Sequence, residues 1–188
     1  MKRLDTLIQA VNLIDSIGSI AIQVSSLAID SRLVQKDGLF VATRGLNTDG
    51  HLFIDKAIEL GASVILCEEI SNPKDHVTYL IVKNSTIALG HIASAFHNYP
   101  SKNLKLVGVT GTNGKTSVSS MLYNCFRNLK HRCGLLSTIK YSVNGVDTIS
   151  THTTPNSIRI NELLAEMVEV GCEYAFMEVS SHALHQHR

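Results

Sequence analysis

The stretch "LKLVGVTGTNGKTSVSSMLY", Leu104–Tyr123, is the strongest indication of the fold in the second half of the chain. Its apolar first residues predict a buried strand, and the residues after the second glycine predict a helix. The turn between them, G-T-N-G-K-T, has glycines that allow the backbone to approach phosphate oxygens closely. A helix start adds unpaired N–H groups and positive partial charge. We therefore interpret the stretch as a phosphate-binding loop.

Two side chains of this loop suit a nucleotide triphosphate. Lys115 can reach the β- and γ-phosphates, and the hydroxyl of Thr116 can bind Mg²⁺. The strict pattern has a glycine five residues before Gly114, where this sequence has Val109. A shorter G-x-x-G-K-T sequence also arises by chance, so a plain glycine-rich turn is the alternative. The strand before it and the helix after it favour phosphate binding.

A carboxylate at the end of a neighbouring strand would complete a metal site. Glu178 fits this role, because in "YAFMEVSSH" it interrupts an apolar strand just before a polar loop. Burying a carboxylate costs several kcal/mol unless it is paired or bound to a metal. A solvent-facing Glu178 on an edge strand, or one paired with a Lys or Arg, is an equally weighted alternative.

The composition is that of a globular protein. Of 188 residues, 44% are hydrophobic and 18% charged, and the net charge of +1 gives no electrostatic footprint for nucleic acid. No segment has the length and apolarity of a membrane span or of a signal peptide. The four cysteines form no C-x-x-C motif and are interpreted as free thiols, so we expect a cytoplasmic protein.

The pattern of predicted elements indicates an α/β fold in two parts. Residues 1–100 are expected to form a small α/β domain, and residues 101–188 the start of a parallel α/β domain of the phosphate-loop type. Apolar residues from Leu4 to Val11, continued by Ile14, predict an N-terminal amphipathic helix. Asn144-Gly145 predicts a β-hairpin.

Several separated motifs resemble the Mur ligase family, whose members extend the peptide of the bacterial cell-wall precursor. "GVTGTNGKTS", "THTTP" and "MEVSSHALHQHR" are similar to the family's central domain, and "AIDSRLVQKDGLFVATRGLNTDGHLFIDKAIELGA" to its uridine-nucleotide-binding domain. The similarity covers nearly the whole chain, with the motifs in the expected order. It also accounts for the variant loop, because G-T-N-G-K-T is the family's form.

The resemblance implies roles for individual residues. Gly111 to Ser117 would hold ATP, with Lys115 acting catalytically on the terminal phosphates, and Thr116 and Glu178 would contact Mg²⁺. The loop residues are Gly111, Thr112, Asn113, Gly114, Lys115, Thr116 and Ser117. The UDP-sugar-dipeptide would be bound by Ile29, Ser31, Leu46, Asn47, Thr48, His152, Thr153, Thr154, Ser180, Gln186 and Arg188. Without the resemblance, Ser31 and Arg32 suit a surface turn, and Thr153 and Thr154 an extended segment before a proline.

The implied reaction is ATP-driven amide formation that adds a third amino acid to UDP-N-acetylmuramoyl-L-alanyl-D-glutamate through an acyl phosphate. We expect meso-diaminopimelate rather than L-lysine as that residue, and we expect small-molecule partners only. Counterparts of the family's carbamylated lysine and of its C-terminal domain are missing from the sequence. We therefore expect a truncated ligase with an uncovered sheet edge, which cannot form the amide bond alone.

Two other classes of function are compatible with these motifs. The chain could be a non-catalytic module that binds a nucleotide or UDP-sugar, or a small-molecule kinase with a phosphate loop. Within the superfamily, the D-Ala-D-Ala-adding ligase has a similar first domain, and the folate polyglutamate enzyme lacks it. Thr116 together with "EVSSH" favours the ligase that adds the third residue. The oligomeric state is not predicted.

Overall fold

The computed structural model describes residues 1–45, 48–150 and 153–187. The chain divides into two compact units, Met1–Phe96 and His97–Arg188. Both are built from strands and helices in alternation, so the predicted α/β class is confirmed. The assignment of a separate binding role to each unit stays a prediction.

The described residues of the first unit form seven strands and three helices. In chain order they are β1 (Lys2–Arg3), α1 (Leu4–Leu7), β2 (Leu13–Ile17), β3 (Gln23–Val24), β4 (Leu27–Ala28), β5 (Gly38–Val41), α2 (Ile54–Glu59), β6 (Ala62–Cys67), β7 (Thr78–Val82) and α3 (Ser85–Phe96). Short 3₁₀ turns at Ser31–Leu33 and Gly50–Phe53 follow β4 and β5.

The main sheet of this unit has the order β2-β7-β6-β5-β4, with β4 to β7 parallel and β2 antiparallel to β7. Alternate residues of the parallel strands, such as Phe40, Ile65 and Tyr79, are completely buried in one core cluster with Ile54 and Ala57 of α2. Because β4 and β5 are parallel, the turns that follow them lie at the same edge of the sheet. This is the edge that carries the predicted uridine-site residues.

The expectation of an N-terminal amphipathic helix is wrong in extent. Helix α1 has only four residues, of which Leu4 and Leu7 are buried. Ile14 lies in β2 and is 66% exposed. Pairing of β2 with β7 outweighs the helical spacing of these apolar residues, as tertiary contacts often do with short periodic segments.

The second unit contains five strands and three helices among its described residues. They are β8 (Lys105–Val109), α4 (Lys115–Asn128), β9 (Cys133–Leu136), β10 (Lys140–Val143), β11 (Val146–Ile149), α5 (Ser157–Glu169), β12 (Tyr174–Glu178) and α6 (Ser181–His185). The sheet order is β11-β10-β9-β12-β8, in which β12 is parallel to both β8 and β9. Three carboxyl strand ends therefore meet at one edge.

The two faces of this sheet are covered by different helices. Leu135 and Phe176 form a cluster with Tyr123 of α4. Their strand neighbours, among them Leu136 and Met177, face the other way and pack with residues of α5. The period of two along each strand thus buries both faces, as expected for parallel strands in an α/β unit.

The hairpin predicted at Asn144-Gly145 is confirmed: β10 and β11 turn at these two residues, both with positive φ. Asn156 caps α5 by accepting a hydrogen bond from the Arg159 N–H, 2.9 Å away. Strand β8 is an outer strand of the sheet, and its Leu106 is 39% exposed. The expectation of an edge uncovered by truncation stays a prediction. Among the described residues, no helix is both long and apolar enough to cross a bilayer.

Candidate functional site

The loop between β8 and α4 has the open form that a bound phosphate requires. Gly111 has a φ of +145° and Gly114 a φ of +82°, backbone angles that residues with a Cβ rarely adopt. Residues 110–114 are all exposed. A Cβ placed on Gly114 would meet no atom within 4 Å, so the space on that side of the glycine is open.

Lys115 folds back over the loop that it follows. Its ammonium donates to the carbonyl oxygen of Gly111 at 2.8 Å and to that of Thr112 at 3.4 Å. An ammonium has three N–H groups, so at least one remains for a ligand. The carbonyls thus hold the positive charge close to the exposed amides of the loop.

Glu178 is the last residue of β12 and is only 1% exposed. Its Oε1 accepts a hydrogen bond from the Thr138 N–H at 2.7 Å, and its Oε2 accepts one from the Thr116 hydroxyl at 2.9 Å. Strand β12 lies between β9 and β8, so the alternative of an edge-strand carboxylate facing solvent is wrong.

The described part of the chain also contains no ion pair to Glu178. A buried carboxylate with only neutral donors is costly, and a bound cation would offset that cost. One carboxylate and one threonine hydroxyl beside a phosphate loop is a donor set that suits Mg²⁺, which takes its other ligands from phosphates and water. The residues present therefore fit both Mg²⁺ and a triphosphate.

Thr138 is a site residue that the sequence analysis missed. It follows β9, and besides its N–H bond to Glu178 its hydroxyl lies 3.1 Å from Glu178 Oε2 and 3.0 Å from Thr153 Oγ1. The signal that could have found it is its position: polar residues at the carboxyl ends of neighbouring parallel strands share an edge. Applied to "CGLLST", this rule points to Ser137 and Thr138.

Two other predicted substrate contacts of this unit, Thr154 and Ser180, lie at the same edge. The Thr154 hydroxyl is buried, donates to the Glu178 carbonyl oxygen at 2.9 Å and accepts from the Ser180 N–H at 3.2 Å. It therefore ties β12 to the loop that follows. Ser180 caps α6 by accepting from the Ala183 N–H, and Gln186 is half-buried at the end of that helix.

In the first unit, the described residues among the predicted uridine contacts lie at the carboxyl edge of the sheet. Ser31 is buried at the start of the 3₁₀ turn after β4, Ile29 is half-buried just before it, and Thr48 is exposed after β5. Arg32 is 84% exposed and pairs with Asp30 at 2.6 Å, which agrees with a surface turn for this residue. The predicted contacts outside the described residues are Leu46, Asn47, His152 and Arg188.

A partly buried polar network anchors the segment that follows Thr48, and sequence reasoning missed it. The ring of His51 accepts a hydrogen bond at Nε2 from the Glu68 N–H, 2.9 Å away. Nδ1 therefore carries the ring proton and donates to Asp49 Oδ1 at 2.6 Å. The Glu68 carboxylate in turn accepts from the N–H and hydroxyl of Ser85 at the start of α3.

This network also fixes the charge of Asp49. The pKa of Asp49 is lowered, first by the hydrogen bond from the His51 backbone N–H and then by that from the His51 ring. The backbone of Arg44 bridges to that of Asp49, and the Gly45 N–H donates to the Thr48 carbonyl oxygen at 3.0 Å. The ends of the predicted uridine loop are thus held together from both sides.

A separate cavity of about 500 Å³ lies in the first unit. It is lined by residues that precede strands, including Asp37 before β5 and Val77 before β7. It therefore lies at the amino edge of the parallel strands, opposite the edge that carries Ser31 and Thr48. None of the predicted site residues lines it.

Comparison with known sequences identifies the family. A profile described as the Mur ligase family, catalytic domain, matches residues 23–99, and one described as the Mur ligase middle domain matches residues 109–188. The chain belongs to the Mur ligase family, and the resemblance drawn from its motifs is confirmed.

Three curated relatives with different sequence identities to this chain have the same name. The chain is 47% identical over 184 residues to UDP-N-acetylmuramoyl-L-alanyl-D-glutamate–2,6-diaminopimelate ligase of Cytophaga hutchinsonii, with 97% of this chain and 38% of that relative covered. The ligases of the same name from Bacteroides thetaiotaomicron and Clostridioides difficile are 45% and 38% identical, and 39% and 37% of their lengths are covered. At 98% and 97%, the matches again cover nearly all of this chain.

Solved structures agree on the fold. A diaminopimelate ligase of the same name superposes with a TM-score of 0.72 at 22% identity, covering 87% of this chain and 33% of that one. A MurF ligase from Thermotoga maritima in complex with ADP superposes with a TM-score of 0.55 at 25% identity, covering 83% and 32%. The chain thus spans roughly a third to two fifths of the relatives that it matches.

Proposed function

We propose that this chain supplies the UDP-substrate-binding part and the ATP-binding part of a ligase that joins 2,6-diaminopimelate to UDP-N-acetylmuramoyl-L-alanyl-D-glutamate. The observation that carries the proposal is the carboxyl edge of the second unit. There an open glycine loop, a lysine and a buried carboxylate without a cationic partner among the described residues lie together. The names of the relatives at 38–47% identity support diaminopimelate over L-lysine or D-Ala-D-Ala.

In this proposal the residues act mainly by positioning and by neutralising charge. The amides of residues 111–117 hold the phosphates of ATP, and the Lys115 ammonium moves one or more of its N–H groups from carbonyls to phosphate oxygens. Thr116 and Glu178 would hold Mg²⁺, which offsets the negative charge of the phosphates when bound. The ADP complex of the MurF ligase from Thermotoga maritima supports a nucleotide in a structural relative.

Candidate contacts to the UDP-sugar-dipeptide are proposed for each unit by itself. Ser31, Ile29 and the loop that ends at Thr48 would contact the uridine diphosphate, with Leu46 and Asn47 in that loop. Thr153, Thr154, Ser180 and Gln186, together with His152 and Arg188, would contact the rest of the substrate. Hydroxyl and guanidinium groups suit the phosphates and carboxylates of such a molecule. The γ-phosphoryl group of ATP would then pass to the D-glutamate side chain before the incoming amine attacks.

Isothermal titration of the 188-residue chain tests both binding parts separately. The titrants are an ATP analogue with a non-hydrolysable β–γ bridge plus Mg²⁺, and UDP-N-acetylmuramoyl-L-alanyl-D-glutamate. We expect Lys115→Gln to weaken binding of the analogue strongly and to leave binding of the UDP-substrate unchanged. Lys130→Gln removes a charge at an exposed residue after the same helix and is the matched control. An unchanged affinity of Lys115→Gln for the analogue would contradict the proposed nucleotide site.

A further inference from the structure

Thr138 contacts Glu178 with its backbone N–H and with its hydroxyl, and neither contact has an assigned role. The backbone N–H binds Oε1 at 2.7 Å, and the hydroxyl binds Oε2 at 3.1 Å. The two residues are 40 positions apart in the sequence and follow or end neighbouring parallel strands. Two donors from one residue on two oxygens of one carboxylate fix the plane of that carboxylate.

Counting hydrogens shows a chain of hydroxyl groups. The Thr138 hydroxyl has one hydrogen but lies within hydrogen-bond distance of both Glu178 Oε2 and Thr153 Oγ1. That hydrogen can be donated to Glu178 Oε2 or to Thr153 Oγ1, but not fully to both. The Thr138 hydroxyl therefore links the carboxylate of Glu178 to the hydroxyl of Thr153.

We propose that Thr138 is a positioning residue that orients the Glu178 carboxylate for Mg²⁺ and links it through hydrogen bonds to Thr153 on the substrate side. The inference rests on the proposed function, because it assumes that Glu178 and Thr116 hold the metal of a bound nucleotide. The Thr116 hydroxyl has lone pairs for a metal even while its hydrogen is donated to Oε2. Thr138 supplies two further donors that would hold the carboxylate beside that metal.

The link to Thr153 adds a consequence. A substrate group that accepts or donates at Thr153 changes the donor strength of the Thr138 hydroxyl towards Glu178, because hydrogen bonds in a chain polarise one another. Binding of the UDP-substrate and of the metal–nucleotide should therefore be coupled. Coupling between two ligands is reciprocal, so each ligand changes the affinity of the other by the same factor.

The test measures the Mg²⁺ dependence of nucleotide binding in the 188-residue chain. Titrations of the non-hydrolysable ATP analogue are run with Mg²⁺ and with a chelator, for the wild type, Thr138→Val and Thr138→Ser. Valine has the shape of threonine, removes only the hydroxyl and keeps the backbone donor, and serine restores the hydroxyl. Thr148→Val, at an exposed position of β11, is the control for the same chemical change.

We expect Mg²⁺ to strengthen binding by a factor that Thr138→Val lowers about tenfold, in the range typical of residues that orient metal ligands. The affinity measured with chelator should stay the same, Thr138→Ser should restore the Mg²⁺ effect, and Thr148→Val should resemble the wild type. Saturation with the UDP-substrate should change the Mg²⁺ effect in the wild type and not in Thr138→Val.

Other outcomes separate the inference from the proposed function. Three results would each overturn the positioning role. The Mg²⁺ effect in Thr138→Val could equal that of the wild type, or this variant could lose affinity for the analogue equally with and without Mg²⁺. Thr138→Ser could also fail to restore the Mg²⁺ effect. The nucleotide site would then stand. A wild type without Mg²⁺-dependent nucleotide binding would overturn the proposed function itself, and the inference with it.

Discussion

The carboxyl edges of the two sheets are built differently. In the second unit the polar groups converge on a single buried carboxylate, that of Glu178. It accepts hydrogen bonds from Thr116 at the start of α4 and from Thr138 after the end of β9. In the first unit the partly buried network of Asp49, His51 and Glu68 lies beside a loop and supports its described end. One edge thus has a buried charge at the proposed nucleotide site, and the other has partly buried polar groups that support a loop proposed to contact the UDP-substrate.

This difference predicts where each site should be sensitive to substitution. Removal of the Glu178 charge should affect metal–nucleotide binding directly and the fold little. Removal of the His51 ring should act first on the stability of the first unit and only through it on UDP-substrate binding.

Glu178→Gln should give the largest change. The amide can place its oxygen against the Thr138 N–H, but it carries no charge for a cation. We expect the Mg²⁺-dependent gain in affinity for the ATP analogue to fall about 100-fold or more, the upper range for residues that support a metal. Titration calorimetry with and without Mg²⁺ measures it, with exposed Glu169→Gln as the control. A gain equal to that of the wild type would show that Glu178 does not serve the metal.

His51→Ala should destabilise the first unit by about 1–3 kcal/mol, since it leaves the Glu68 N–H without its ring acceptor and Asp49 without its ring donor. Amide hydrogen exchange of residues 62–68 is the readout, because protection of that strand should fall. His91→Ala, on the exposed face of α3, is the matched control.

The same variant separates the two edges. UDP-substrate affinity should weaken in His51→Ala, and affinity for the ATP analogue should stay at the wild-type value. If both affinities fell equally, the division of binding roles between the two units would be wrong.

Asp49→Asn should cost stability in a pH-dependent way. The pKa of Asp49 is lowered in the fold below 3.8 by the hydrogen bonds from His51, so its carboxylate stabilises the fold above that pH. The stability gap between wild type and variant should be constant near neutral pH and should close as the pH falls through the lowered pKa. Urea unfolding at several pH values measures the gap, with exposed Asp75→Asn as the control. A gap that widens in acid would contradict this charge state.

Cysteine labelling should give the smallest effect and compares the two units in one sample. Burial raises the pKa of Cys67 in the first unit and of Cys133 in the second to about 11, and Cys125 is exposed. Iodoacetamide should therefore modify Cys125 at once and the other two only after local opening. The UDP-substrate should slow modification of Cys67 severalfold, and the ATP analogue that of Cys133. The reverse pairing of ligand and cysteine would contradict the proposed sites.

Features that depend on neighbouring residues in the sequence were predictable. The glycine loop and the hairpin at Asn144-Gly145 follow from local chemistry. Glu178 was predictable as a site residue because a carboxylate buried in an apolar strand is costly in free energy unless it is paired or bound to a metal. The sequence did not decide between a metal ligand, an ion pair and a solvent-facing residue, and burial of the strand end removes the last of these.

Features that depend on long-range pairing were not predicted. The N-terminal helix ends early because β2 pairs with β7, more than 60 residues away. Thr138 meets Glu178 only because β9 and β12 are neighbours in the sheet, and His51 meets Glu68 only because β5 and β6 are neighbours. The carboxyl-end rule for parallel strands could have listed these residues as candidates, but not chosen their partners.

A crystal structure of the 188-residue chain with Mn²⁺ and the non-hydrolysable ATP analogue would show whether residues 111–117 and Glu178 form a metal–nucleotide site. Manganese replaces Mg²⁺ at such sites and gives an anomalous signal. We predict an anomalous peak beside Thr116 Oγ1 on the side of Glu178, phosphates over the amides of residues 111–117, and an N–H of Lys115 on a phosphate oxygen. A nucleotide bound elsewhere, with Lys115 still held only by the carbonyls of Gly111 and Thr112, would contradict the account.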